Sequence, residues 1–212
     1  MPERRDTGFT LIEILVVIAI ISILASLAGY GVLRARKTGL ETAAKTDVTM
    51  LSTAIDGFRN AFGYYPPSSL AALKLKTNGI NDGNESLFGF LLTRKKGGPF
   101  ADLKENQWVN ADGDALTQAD AKIARAEIDW VRGTDQLLEY VDLWGNPYVY
   151  IHSRDYGKKL KCQALGGDTF EVQAQKNPVT GTWCSPTTYQ LWSLGADGVN
   201  QNGEGDDIAS WK

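Results

Sequence analysis

The sequence has few of the residues on which most enzymes and metal-dependent folds rely. It contains one histidine and two cysteines in 212 residues, so it offers no set of zinc ligands. It also has no nucleophile elbow and no phosphate-binding loop. The histidine, His152, lies in a predicted strand, where we expect a structural role. The sequence therefore predicts a protein that is not an enzyme.

The chain also lacks a surplus of positive charge. It carries 22 lysines and arginines against 25 acidic residues, which gives a formal net charge of −3. Nucleic-acid-binding domains usually carry a basic patch, so we expect no nucleic-acid partner. The two cysteines, Cys162 and Cys184, both lie in the downstream part of the chain. An even pair predicts a disulfide if that part reaches an oxidising compartment, and two unpaired thiols are the alternative.

What the sequence does have is one long apolar run, from Ile14 to Leu33, without a charged residue. About 20 residues at ~1.5 Å rise each span roughly 30 Å, the thickness of a bilayer core. A cleaved secretory signal and a buried core helix are the alternatives. A signal peptide usually ends in a small-x-small cleavage site, and none follows here. The run therefore predicts an uncleaved membrane helix.

The helical pattern continues beyond the apolar run. Apolar residues recur there at steps of three and four, which predicts one buried stripe on an amphipathic helix. The stripe consists of Leu40, Ala44, Val48, Leu51, Ile55, Phe58 and Phe62. Pro66 and Pro67 then prevent the helix from continuing.

Residues 66–141 have a mixed pattern. The stretch "SLFGFLL" predicts a short buried helix, and residues 117–141 read as one or two further helices. The segment "NADGDALTQADA" invites comparison with an EF-hand, but Ala115 stands at the glycine place and Ala121 at the glutamate place. We interpret it as a solvated loop that leads into a helix.

The residues after 142 favour strands. Four short runs rich in β-branched and aromatic residues are separated by turns that contain glycine or proline. They predict a small antiparallel sheet, one face of which covers the apolar stripe. The predicted fold class is α+β, with a long N-terminal helix, transmembrane and then amphipathic, packed on a small antiparallel β-sheet.

Glu13 stands at the start of the apolar run, where a carboxylate is costly and indicates a function. If the chain is cut between Gly8 and Phe9, Phe9 gains a positive α-amino group. In an array of such helices, this amine could pair with the Glu13 carboxylate of a neighbour. Leaving either charge alone in low dielectric is unfavourable, so the pair would promote assembly. The alternative is a glutamate exposed to lipid headgroups.

The stretch "GFTLIEILVVIAIISILA" resembles the class III signal of type IV pilins and type II secretion pseudopilins. The resemblance implies that a prepilin peptidase removes a cytoplasmic leader, residues 1–8, and that Phe9 is then methylated. Residues 9–33 would form the transmembrane and filament-core helix. Residues 34–212 would form a pilin-like domain in the periplasm, attached to the inner membrane by this single pass.

The C-terminal part, with "DLWGNPYVY" and "YQLWSLGADGVNQNGEGDDIASW", resembles the major, G-type pseudopilin of type II secretion. Residues 142–212 would then hold the sheet and a calcium loop, whereas residues 66–141 would be a variable insertion. The implied function is a structural subunit that polymerises, with itself and minor pseudopilins, into a periplasmic filament for protein secretion. An inner-membrane platform and an ATPase would assemble it. The alternatives are a type IV pilus subunit, for adhesion, motility or DNA uptake, and a membrane-tethered calcium-binding module that does not polymerise.

The tail is rich in glycine and acidic residues, a composition that suits Ca²⁺ because this ion takes many oxygen ligands in flexible geometry. A flexible acidic turn is the alternative. The resemblance implies a Ca²⁺ site with side-chain ligands Asp197, Asp206 and Asp207 and backbone carbonyls of Leu194 and Val199. We expect three tryptophans to pack the sheet and pin this loop, namely Trp144, Trp192 and Trp211.

The leader motif generates a first prediction. The mature protein should begin at Phe9 and carry an N-methyl group, and Gly8→Val should block cleavage by crowding the peptidase site. N-terminal mass spectrometry of the membrane fraction measures both. Assembled filaments that retain Met1 would contradict the prediction.

Overall fold

The computed structural model describes residues 10–128 and 135–212, without the side chains of residues 27–30 and 128. The predicted leader, 1–8, and the cleavage site at Gly8 and Phe9 lie outside these residues. The chain divides into two compact units, Met1–Leu40 and Glu41–Lys212.

Helix α1 runs from Leu11 to Phe62. Among the described residues, α1 is the one helix that is long and apolar enough to cross a membrane. Its apolar part lies in the first unit. Its large side chains are exposed there, from 85% for Leu11 down to 45% for Val17. This surface has no partner within the described chain, which is the condition expected of a helix that lies in lipid or among copies of itself.

In the second unit, α1 buries the predicted stripe. Five of its seven residues, Ala44, Val48, Leu51, Ile55 and Phe58, are buried in the larger of two hydrophobic clusters. Leu40 and Phe62, at the two ends of the stripe, are half-buried. The amphipathic prediction is therefore confirmed between Ala44 and Phe58. The helix ends at Phe62 because Gly63 adopts a left-handed conformation, with φ of 85°, a conformation that glycine adopts at little cost.

The segment 66–141 contributes to the same core. Helix α2, Asp82–Leu91, is buried over most of its length, which confirms the predicted short buried helix. It packs closely on the backbone of the following sheet, because a Cβ at Gly83 would lie 2.2 Å from the Tyr150 carbonyl oxygen. A larger residue at Gly83 would therefore force the helix away from the sheet.

In its described residues, the rest of this segment contains two short strands, one α-helix and three short 3-10 helices, Leu70–Leu73, Lys95–Gly97 and Glu105–Gln107. Strand β1, Trp108–Val109, precedes helix α3, Gln118–Ile128, and strand β2, Glu139–Tyr140, pairs antiparallel with β1. The prediction of helix over residues 117–141 is thus right for α3 and wrong for β2. Asn84 explains the strand, because its side chain accepts a bond from the Tyr140 N–H and donates to the Tyr140 carbonyl.

The C-terminal half forms two antiparallel sheets. Strands β3, Val149–His152, β6, Tyr189–Ser193, and β7, Ile208–Ala209, form one sheet in the order β3-β6-β7. Strands β4, Leu160–Gln163, and β5, Thr169–Val172, form a separate hairpin. The fold is therefore α+β, as predicted.

The prediction of a single sheet is wrong in one respect, because β4 does not pair with the β3-β6-β7 sheet. Its free edge is occupied by the start of α2. The Asn81 N–H donates to the Lys161 carbonyl at 2.9 Å, and the Asn81 side chain bonds both the N–H and the carbonyl of Gln163 at 3.0 Å. One asparagine thus takes the hydrogen-bonding positions that another strand would fill.

Alternate residues of β3 and β6 face two hydrophobic clusters, as the period of a strand requires. Tyr150 and Leu191 point into the cluster that contains α1 and α2. Ile151 and Trp192 point into the second cluster, with the β4-β5 hairpin. The sheet therefore connects the long helix to the C-terminal tail.

The structure does not form the predicted disulfide, and Cys162 and Cys184 are both free thiols. Cys162 lies on β4 opposite Phe170 and is buried in the second cluster. The Cys184 N–H instead bonds the Gln175 carbonyl, at 3.0 Å, five residues beyond Phe170 on the same chain. Cys162 thus lies beside Phe170 and Cys184 beside Gln175, at different points of the same stretch of chain.

These positions predict different reactivities for the two thiols. The thiolate is the reactive form, and burial raises the pKa of the Cys162 thiol to about 12. A maleimide probe should therefore label only Cys184 in the native protein and both cysteines in denaturant. Cys184→Ser should abolish native labelling and Cys162→Ser should leave it unchanged. A native protein that offers no thiol until it is reduced would show that the bond forms after all.

Candidate functional site

The N-terminal end of α1 is closed by a reciprocal pair of bonds between Thr10 and Glu13. The Glu13 Oε2 atom accepts from the Thr10 N–H at 2.8 Å and from the Thr10 hydroxyl at 2.7 Å. The Glu13 N–H donates to Thr10 Oγ1 at 3.3 Å. This is a capping box, in which each residue satisfies a backbone N–H of the other.

The capping box changes the account of Glu13. The carboxylate has two donors within its own chain, so part of its cost in an apolar environment is offset before any neighbour arrives. Both bonds fall on Oε2. The spacing Thr-x-x-Glu ahead of an apolar run is the sequence signal for this arrangement, and our sequence interpretation of Glu13 did not use it.

At the other end of the chain, the tail loop follows β6 and returns to the sheet at β7. Asp207 is buried, and its Oδ2 atom accepts from the N–H groups of Gln201 and Gly203 at 3.0 and 2.7 Å. Its second oxygen, Oδ1, is buried without a partner. Burial raises the pKa of the Asp207 carboxyl to about 6. A cation beside Oδ1 would supply the missing interaction.

Gln201 connects two of the predicted calcium ligands. Its N–H bonds Asp207, and its side-chain amide donates to Asp197 Oδ2 at 3.3 Å. The Gln201 Oε1 atom is also buried without a partner. An unpartnered amide oxygen is a suitable ligand for Ca²⁺, and Gln201 was not among our predicted ligands. The composition of the tail does not distinguish Gln201 from the other residues there with amide side chains.

The remaining predicted ligands occupy different positions around the loop. Leu194 is buried directly after β6, whereas Asp197, Val199 and Asp206 are exposed. The Asp197 Oδ1 atom accepts from the Val199 N–H at 2.8 Å. The Asp206 carbonyl oxygen would lie 2.6 Å from a Cβ at Gly195, so two arms of the loop approach closely where a glycine stands. Among the described residues, the carboxylates of Asp197, Asp206 and Asp207 do not meet at one point, so the structure brings together only part of the predicted ligand set.

Two tryptophans hold this loop, as predicted. Trp192 donates from its indole N–H to Asn200 Oδ1 at 3.2 Å, and its ring meets that of Trp211 edge to face at 5.8 Å. The Trp211 ring covers Gly203, where a Cβ would lie 2.2 Å from it. Trp144 instead packs against the cluster that contains α1. The Asn200 oxygen is thus engaged by the protein itself.

The turn "DLWGNP" is linked to the loop through Asp142. This buried carboxylate accepts from the N–H groups of Trp144 and Asn146 at 2.9 Å and from the Ser193 hydroxyl at 2.6 Å. Ser193 Oγ in turn accepts from the Gly195 N–H at 3.1 Å. The two C-terminal motifs of the sequence analysis are therefore parts of one hydrogen-bonded unit.

Comparison with known proteins supports the reading of the N-terminal segment. The family described as Prokaryotic N-terminal methylation motif matches residues 4–29, which confirms the predicted prepilin-type motif. No solved structure matches the chain.

Three curated proteins with the same name, type II secretion system core protein G, are similar to the chain. The protein of Pseudomonas aeruginosa is 26% identical over 213 residues, which cover 100% of this chain and 99% of that protein. The protein of Vibrio cholerae is 29% identical over 107 residues, 50% of this chain and 68% of the relative. The protein of Aeromonas hydrophila is 36% identical over 66 residues, 31% of this chain and 46% of the relative. The full-length match includes the long middle segment.

Proposed function

We propose that this chain, a prepilin-type protein of the type IV pilin and type II secretion pseudopilin family, is a structural subunit of a type II secretion pseudopilus. One observation carries the proposal. The methylation motif leads into an apolar helix with an exposed surface, and the same helix enters an α+β domain that resembles the G-type pseudopilins.

The exposed apolar surface of α1 suits both states of a pseudopilin. In the membrane, lipid covers side chains such as Leu11 and Leu24. In a filament, the helices of neighbouring subunits cover them instead, by van der Waals packing without a large hydrophobic term. Head-to-tail contacts that do not close into a ring then extend into a fibre.

Glu13 would give this packing its register. A processed Phe9 amine on one helix and a Glu13 carboxylate on the adjacent helix would form an ion pair between subunits. The capping box leaves the carboxylate at the first turn of α1. In this proposal the domain lies in the periplasm, and the partners are further copies, minor pseudopilins, the prepilin peptidase, and the assembly platform with its ATPase.

We further propose that the tail loop binds Ca²⁺. Asp197, Asp206 and Asp207 would supply carboxylates, with the carbonyls of Leu194 and Val199 completing the shell. The ion would cross-link a glycine-rich loop that the free protein orders only at an entropic cost. The Asp207 oxygen that is buried without a partner supports this assignment.

The role of Glu13 is tested with matched variants in a strain that lacks the chromosomal copy of this gene. Glu13→Gln keeps an acceptor for Thr10 but removes the charge, Glu13→Leu removes both, and Thr10→Ala removes the side-chain half of the cap only. We expect both Glu13 variants to insert in the membrane but to lose filament assembly and protein secretion. Thr10→Ala should retain both. Pull-down of cross-linked filaments and assay of secreted protein in the medium measure this.

Each alternative has its own outcome in that experiment. Full secretion by Glu13→Gln as sole subunit would show that the charge has no role in assembly. Normal secretion by the deletion strain, together with the loss of surface fibres or motility, would identify a type IV pilus subunit instead.

The tail loop predicts a calcium-dependent stability. Ca²⁺ that binds only the folded loop should raise the free energy of unfolding by about 2.7 kcal/mol at a hundredfold excess over its dissociation constant. Melting curves of the full-length protein in detergent, with EDTA, magnesium or calcium, measure this. Asp197→Ala and Asp207→Ala should each reduce the calcium-dependent shift. Variants whose shift equals that of the parent would show that the tail is only an acidic turn.

A further inference from the structure

A second group of carboxylates lies in the middle segment, away from the tail. One oxygen each from Glu85, Asp112 and Glu139 lie within 4.8 Å of one another. Glu85 is on α2, Glu139 is on β2, and Asp112 is in the loop between β1 and α3. Glu85 and Glu139 are both 0% exposed. Among the described residues, this is where three such groups converge.

Two of the three carboxylates are partly satisfied by the protein. Glu139 accepts from the Asn81 side-chain amide at 2.9 Å and from the Ala111 N–H at 2.8 Å. Asp112 accepts from the Asn78 side-chain amide at 2.9 Å. These bonds fix both groups around the third one.

Glu85 is different, because both of its oxygens are buried without a hydrogen-bond partner. One oxygen each of Asp82 and Asp114 is buried in the same condition. Four carboxylate oxygens in one region thus lack a donor. Natural proteins leave few buried polar atoms unsatisfied, and a concentration of them calls for an unseen partner.

The electrostatic surroundings of Glu85 indicate the sign of that partner. Burial and the carboxylates of Asp114, Glu139 and Asp112 together raise the pKa of Glu85 to about 11. Burial also raises the pKa of Glu139 to about 7. The ion pairs with lysine or arginine found in the described residues involve other carboxylates. Only a bound cation or added protons can stabilise this arrangement.

We propose that Glu85, Asp112 and Glu139 bind one Ca²⁺ ion, with Asp114 as a further ligand. The donors are all oxygens, the ligand type of hard cations. Two ligands at about 2.4 Å from one ion lie up to ~4.8 Å apart, which agrees with the observed grouping. Mg²⁺ requires strict octahedral geometry and retains several waters, for which the closed surroundings of Glu85 are unsuitable.

This site would join three parts of the middle segment that are distant in the sequence. Glu85 belongs to a helix whose start is bonded to β4 through Asn81, and Glu139 belongs to a strand held by Asn84. Asp112 lies in a loop that is half-buried at this point. The ion would therefore fix the loop to the core, and it shares no ligand with the tail loop. The site does not depend on whether the chain polymerises.

Protonation is the competing explanation. Asp114 lies within hydrogen-bonding reach of Glu85, so a proton shared by these two side chains could replace an ion. Glu85→Gln distinguishes the two explanations, because glutamine imitates a protonated glutamate in shape and polarity but is a weaker cation ligand.

The experiment measures bound calcium per chain by equilibrium dialysis of the full-length, metal-stripped protein in detergent. We expect Glu85→Gln and Asp112→Asn each to lose one ion per chain, both in the parent and in an Asp207→Ala background from which the tail site has been removed. Asp168→Asn, an exposed carboxylate in the β4-β5 turn, serves as a matched control and should lose none. An equal concentration of magnesium should not displace the ion.

Melting curves provide a second measurement on the same variants. In EDTA, Glu85→Gln should melt close to the temperature of its parent, because glutamine imitates the protonated glutamate of the metal-free protein, and this result would show that the variant folds. In calcium it should lack the part of the thermal shift that Glu85 provides. The proposal is overturned if Glu85→Gln binds as much calcium as its parent in both backgrounds, or if magnesium binds there in preference. If the tail loop binds no calcium, the difference in bound calcium between Glu85→Gln and its parent should still be one ion per chain.

Discussion

Burial of the apolar face of α1 within residues 41–212 is the constraint on which the rest of the fold depends. Ile55 and Phe58 on this face are fully buried, and each such side chain contributes roughly 1.5–3 kcal/mol relative to exposure. Helix α2 and one face of the β3-β6 pair supply the cover. The other face of that pair builds the second cluster, which supports the tail through Trp192 and Trp211. Both acidic regions are thus held on elements that the long helix organises.

The two acidic regions are stabilised by different means. In the tail, backbone N–H groups and one side-chain amide bind both oxygens of Asp197 and one oxygen of Asp207. In the middle segment, amides bind the outer carboxylates, whereas Glu85 at the centre has no donor. The first region therefore has an internal network of hydrogen bonds, to which the proposed Ca²⁺ would add an interaction with the open Asp207 oxygen. The second requires a positive charge or protons from outside the chain.

Local patterns in the sequence predicted the features that depend on neighbouring residues. The charge-free run, the stripe from Ala44 to Phe58 and the helix around "SLFGFLL" all follow from periodicity along one element. The separation of β4-β5 from the larger sheet did not, because it results from the side chain of Asn81, which no strand pattern reveals. The convergence of Glu85 and Glu139 could not be predicted either, since 54 residues separate them and only the pairing of α2 with β2 brings them together. The EF-hand comparison drew attention to the stretch that contains Asp112, but it tested one loop, whereas the observed group draws on three segments.

The capping box at the start of α1 has a consequence for how readily subunits exchange. A carboxylate that already accepts two hydrogen bonds from Thr10 needs no second subunit to offset part of its cost in an apolar environment. A single subunit would therefore be tolerated in the bilayer. In the proposed fibre, Glu13 would keep its bonds to Thr10 and add the ion pair with a neighbour, and it would lose only that pair when the subunit leaves. The subunit alone in the bilayer and the subunit in the fibre would then both be stable states, and the ion pair would set the difference in free energy between them. A fibre built on this contact would lengthen or shorten with subunit supply and applied work, because its N-terminal contact would be reversible.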